Sequence, residues 1–209
     1  MDARETQKLL IKPAIPHLAG DFRIVKGNFL IKYPISDIVT GFCFGRSSDK
    51  NDFYLHTFSQ PLYLLSDHFH LSFGDRVKNK NRIEAWSLID RLRFGKNTIE
   101  EVISALQNNL TFVEEMRDHE KFYLHYKEEL ETIKNWRLTE ALVYTAFWLK
   151  KPIAKTKAKI LIEHIETHDD LKLDWVKQCR DSLQELVDSD DPIAILQRNK
   201  EQTIKNLKL

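Results

Sequence analysis

A chain of 209 residues is long enough to bury a sizeable core, as one large domain or two small ones. Its 42% hydrophobic and 30% charged residues exclude a disordered chain, and 32 basic against 31 acidic residues exclude a whole-molecule basic field for gripping nucleic acid. Two cysteines, Cys43 and Cys179, supply neither a disulfide framework nor metal-ligand spacing; with no apolar run near ~18 residues and a charged N-terminus, the expectation is a cytoplasmic protein with no membrane segment.

The first element expected is a short helix from Thr6 to Lys12, stopped by Pro13 and Pro16. Strand-like runs follow from Phe22 to about Phe73. "FRIVKGNFLIKYPI" has a Gly27-Asn28 turn between two β-rich runs, the signature of a tight hairpin. "DIVTGFCFGRSS" is a third run. "DFYLHTFSQPLYLL" is a fourth, with Pro61 marking an edge or bulge. "FHLSFG" is expected as a fifth strand, burying Phe69, Leu71 and Phe73 and turning His68 and His70 to the opposite face.

After Gly74 the period becomes helical. "NRIEAWSLIDRLRF" is expected as a helix with an apolar face of Ile83, Trp86, Leu88, Ile89 and Leu92. "TIEEVISALQNNLTFVEEM" follows, with Thr98 and Glu101 spaced as a capping box, and then "HEKFYLHYKEELETI". From Trp136 onward nothing reads as strand. Two helical hairpins are expected, opened by Trp136 and Trp175. Pro152 breaks the first, and Asp191 and Pro192 form the N-cap and first position of the last helix. The fold class is α+β: an antiparallel sheet of four to five strands followed by helical hairpins. The regions 1–79 and 80–209 are expected to pack as one unit.

Candidate binding residues are Tyr54, His56, His68, His70 and Arg76. In strands, Tyr54 and His56 share a face, as do His68 and His70. Paired strands would bring His56 toward His70, and three imidazoles plus Asp67 resemble a metal site. That register is assumed, so the expectation is a polar strand face without metal or cofactor. The basic runs Arg76 to Arg82 and Lys150 to Lys159 lack interleaved aromatics and read as solvated segments. His164 and His168 sit one helical turn apart near a helix end, where a histidine favours the dipole. No phosphate loop, GxSxG elbow or HExxH motif occurs, so no catalytic residue is assigned.

On "IKPAIPHLAGDFRIVKGNFLIK", "FYLHTFSQPLY" and the tail "EQTIKNLKL", the chain resembles a loose group of bacterial cytosolic proteins carrying a domain of unknown function. The resemblance covers about a third of the chain. It implies an N-terminal antiparallel sheet, C-terminal helices and an interaction role. Some members of that group are similar to immunity or accessory proteins of toxin and phage-defence loci. The functional expectation is a non-enzymatic, immunity-like or regulatory protein with a protein partner. The alternatives are a metal-dependent hydrolase on His56, His68 and His70, and a nucleic-acid accessory protein using the two basic runs; the charge balance weighs against nucleic acid.

Overall fold

The computed structural model describes residues 7–49, 52–87, 96–167 and 173–209. The fold is α+β, with a six-stranded N-terminal sheet and helices after it. The chain divides into two compact units. One comprises Met1–Gln60 and Phe73–Arg117, the other Pro61–Ser72 and Asp118–Leu209.

In the first unit, helical turns at Gln7–Ile11, Lys12–Ala14 and Ile15–His17 run through both prolines, where the sequence suggested a stop. They change hydrogen-bonding pattern as they go, and they bury Leu10, Ile11 and Ala14. The sheet runs β1 (Asp21–Val25), β2 (Phe29–Tyr33), β3 (Ile38–Arg46), β4 (Asp52–Pro61) and β5 (Arg76–Val77), with β6 (Ala85–Ser87) also on β4. The expected hairpin is present, but its turn takes three residues. Val25 pairs with Phe29, and Lys26 (φ 49°) and Gly27 (φ 82°) both adopt the left-handed region. Glycine holds that conformation without the steric cost borne by Lys26. Strand β3 is buried from Ile38 to Phe44, the pattern of a central strand covered on both faces. Strands β5 and β6 lie in succession along one edge of β4, pairing His56 with Arg76 and Phe53 with Trp86.

Two segments depart from the expected elements. Residues 66–73 do not form a strand: they are a loop closing in a 3-10 turn at Leu71–Phe73. Phe69 and Phe73 are buried as expected, whereas Leu71 is half-buried. Trp86, expected on a helix, lies in β6. There its ring stacks on Phe53 at 5.9 Å, and its indole N–H donates to the Val77 carbonyl at 2.9 Å. Residues 88–94 of that expected helix lie outside the described residues.

Helices α1 (Lys96–Asn108) and α2 (Leu110–Glu115) complete the first core, where Val102, Leu106 and Val113 join Leu30, Phe42, Phe53 and Leu55. Thr98 falls inside α1, and the Glu101 carboxylate instead accepts from the Lys80 backbone N–H at 2.9 Å. Beside the strands, Gly74 makes a close approach to β4. A Cβ there would stand 2.0 Å from the Thr57 carbonyl oxygen and 2.7 Å from the Phe58 Cα.

The second unit is built on α3 (His119–Tyr126), α4 (Glu129–Thr132), α5 (Trp136–Trp148), α6 (Ala154–Thr167), α7 (Asp174–Asp188) and α8 (Pro192–Leu207). Helix α5 packs on α3, α4, α6 and α8, and the ring of neighbours closes through α6 on α7 and α7 on α8. Asp191 caps α8 by accepting from the Ala194 N–H at 3.2 Å, with Pro192 at the first turn, as the sequence indicated. No helix among the described residues is long and apolar enough to cross a membrane.

Gly74→Ala is expected to cost at least the ~1–3 kcal/mol of an overpacked core, since the opposing atoms are backbone and have no rotamer to escape into. Urea melts measure this; a neutral substitution would mean that the chain does not approach β4 at Gly74. Phe73→Ala is expected to cost about 3–5 kcal/mol, clearly more than Leu71→Ala in the same melts.

Candidate functional site

The candidate residues separate into two sets. Tyr54, His56 and Arg76 belong to the first unit; His68 and His70 belong to the second.

In the first set, strand alternation buries Phe53 and Leu55 and leaves Tyr54 and His56 half-buried on the other face. The Arg76 guanidinium lies over the Tyr54 ring, 4.2 Å from its centroid, and its Nη1 donates to Glu84 at 3.1 Å. Burial lowers the His56 pKa, and Arg76 lowers it further against the opposing pull of Glu84. The set is a cation–π pair with a neutralised charge at the edge of a sheet. Lys80 pairs with Glu101, so the basic run Arg76 to Arg82 is partly neutralised by acids.

The second set is held more firmly. Thr203 of α8 donates its hydroxyl to the Leu64 carbonyl at 3.2 Å and accepts from the Ser66 N–H at 3.2 Å. Asn206, one turn on, donates to the Ser66 carbonyl at 3.1 Å. These bonds satisfy backbone groups of Leu64 and Ser66, just upstream of the two histidines. The Ser66 hydroxyl then closes the loop, donating to the His68 carbonyl at 2.7 Å and lying 2.9 Å from His70 Nε2. The two imidazoles are 4.2 Å apart, and His68 Nδ1 meets the exposed Asp67 carboxylate at 2.5 Å.

Arg137 joins this loop to α5. Its Nη1 donates to Glu140 at 2.5 Å, and its Nη2 donates to the Leu65 carbonyl at 3.2 Å and faces His70 Nε2 at 3.5 Å. An arginine in the first turn of a helix opposes the macrodipole, so these partners matter. Burial works against the Arg137 charge, but Glu140 more than offsets it and raises the guanidinium pKa. Glu140 is buried, as are Tyr144 and Cys179 nearby; burial, and then the Glu140 charge, push the Tyr144 hydroxyl and the Cys179 thiol up. For His70 the balance is reversed. Burial first, then Arg137 and His68, bring its pKa down to about 3, with Asp67 opposing.

A recess of about 390 Å³ opens here, lined by His68, His70, Arg137 and Trp175. Trp175 is 48% exposed; its ring lies 6.3 Å from Trp136, which in turn meets His164 edge-on at 5.5 Å. The partner residue His168 lies outside the described residues.

Ser66 beside His70 has the spacing of a nucleophile with its base. The chemistry does not follow. A histidine held near pKa 3 is several units too weak to take a serine proton at neutral pH, and Ser66 is buried. The three-histidine arrangement also loses its premise, because His68 and His70 do not lie on a strand. Among the described residues, no group of three or more His, Cys, Asp or Glu side chains is placed to hold a metal ion. What the second set offers is a pinned guanidinium, a neutral imidazole and an indole face around one recess. Arg137, Glu140 and Trp175 were not singled out as site residues from sequence. The i,i+3 spacing of Arg137 and Glu140 was the visible signal, but on a helix it reads as a solvated pair.

The depressed His70 pKa fixes a pH dependence. The unfolded chain, with an ordinary histidine near 6.5, binds more protons than the fold between about pH 6.5 and 3. Stability is therefore full above about 6.5 and declines as the pH falls through that window. His56 contributes in the same direction. Urea midpoints from pH 7 to 4 should fall less steeply in His70→Asn than in the parent chain; equal slopes would place His70 in solvent. The chain matches no protein-family model, no curated protein and no solved structure.

Proposed function

We propose that the chain is a non-enzymatic protein-binding protein of the bacterial cytoplasm, acting as an immunity-like or regulatory partner in a toxin or defence system. The observation that carries this reading is Trp175, half-exposed at the rim of a recess that also presents Arg137 and two histidines. Tryptophan and arginine dominate the energetics of protein interfaces, and an indole left in water is a site where burial gains most. The resemblance on the strand segment supports the same role. Two buried free cysteines, Cys43 with its thiol pushed up to about 12 by burial and Cys179, suit a reducing compartment.

Co-expression with the products of the flanking genes tests the proposal. One product is expected to be toxic alone, tolerated beside this chain and recovered with it as a stable complex. Trp175→Ala should weaken that complex by at least about tenfold. Absence of a complex with every flanking product would overturn the reading. So would hydrolytic turnover by the purified chain that disappears in His70→Ala.

A further inference from the structure

We propose that the recess bounded by His68, His70, Arg137 and Trp175 receives a carboxylate-bearing side chain of a protein partner, with Arg137 as the anion anchor and Trp175 as the apolar wall beside it. The proposal rests on the protein-binding reading and adds the chemistry of what is bound.

A guanidinium carries five N–H donors in a planar fork. Arg137 commits one to Glu140, one to the Leu65 carbonyl and one toward His70. Its Nε–H and one Nη1–H have no partner among the described residues, and Arg137 lines the recess. The side chain is 21% exposed and Glu140 only 3%, so the counter-ion is buried while part of the cation is open. An arginine fixed by one carboxylate is already oriented for a second, and with Nη2 committed the second is met by one charge-assisted bond from Nε–H or Nη1–H. His70 adds no charge of its own, since its ring is partly buried and its Nε2 faces the Arg137 guanidinium at 3.5 Å. Asp67 is the acid beside His68 in the loop. It is 83% exposed and engaged with His68, so solvent screens it.

The recess volume lies at the small end of ligand pockets, the size of one or two side chains rather than of a large cofactor. A phosphate group fits the same surroundings less well. Phosphate recognition gathers several cations or free helix N–H groups, whereas here no lysine lines the recess among the described residues. Helix α5 is capped by its own Asn135, which accepts from the Leu138 N–H. Trp175 then favours a carboxylate flanked by apolar side chains.

The test uses the full chain, isotope-labelled, and reads the Trp175 indole N–H signal. The probes are blocked acetyl-Leu-Glu-Leu-amide, the same peptide with glutamine in the centre, and inorganic phosphate. The glutamate peptide should shift the signal saturably, with the glutamine peptide about tenfold weaker and phosphate without effect at the same concentration. Arg137→Gln alone strands Glu140 and risks unfolding, so the double variant Arg137→Gln with Glu140→Gln is used. It should bind the two peptides equally. Trp175→Ala, at an exposed position and followed through the His70 backbone N–H signal because the reporter indole is gone, should weaken both. Equal binding of the two peptides by the parent chain overturns the proposal, as does no saturable shift at about 10 mM, or phosphate saturating the same signal. Retained preference for glutamate in the double variant overturns it as well. Failure of the protein-binding reading would register separately, as the lack of any complex with flanking gene products.

Discussion

Glu140 lies in a helix whose residues are buried from Leu138 through Phe147, and a carboxylate there needs a permanent partner. Arg137 is that partner. Stranding either charge would cost about 3–5 kcal/mol, so the two must be placed together. Meeting Glu140 fixes one end of the guanidinium, and the other end then reaches the Leu65 carbonyl and His70. The loop conformation, the His70 environment and the wall of the recess follow from a pair set by the needs of the helix interior. Such pairs specify geometry more than they add stability.

Charge elsewhere is handled locally. Within the first unit Arg76 meets Glu84, and Lys80 meets Glu101. Within the second, Lys151 meets Glu120 and lies over Tyr123, and Lys157 meets Glu131. The two runs that look basic in sequence are therefore interrupted in space by acids from distant positions.

Local signals were legible where local chemistry decides the outcome. Asp191 with Pro192, the break at Pro152, and the turn near Gly27 all place element ends by short-range constraints. The alternation of "FHLSF" misleads because a period of two fits a strand only if its backbone groups are free to pair. Here the Phe73 carbonyl accepts from the Ser59 hydroxyl, and just upstream Ser66 is tied to Thr203 and Asn206, 137 and 140 positions away, which no window of sequence displays. Trp86 misleads in the other direction: its helical spacing yields to the Phe53 ring and the Val77 carbonyl. Tyr54 and His56 share a strand face as their alternation indicates, whereas the pairing that sets Arg76 opposite His56, where His70 was expected, is not visible in local periodicity. Arg137 and Glu140 were hidden because burial of a helical charge pair is a property of its neighbours.

The tie between the histidine loop and α8 has a consequence for biosynthesis. A chain leaves the ribosome at about 5–20 residues per second, N-terminal part first. Every residue of the first unit and the loop itself emerge before Thr203 and Asn206 exist. Until they arrive, the Leu64 carbonyl and the Ser66 N–H and carbonyl lack the partners that hold them in the finished protein. The recess is thus assembled only once α8 has been synthesised, and a nascent chain stalled before α8 carries both histidines without the bonds that fix them.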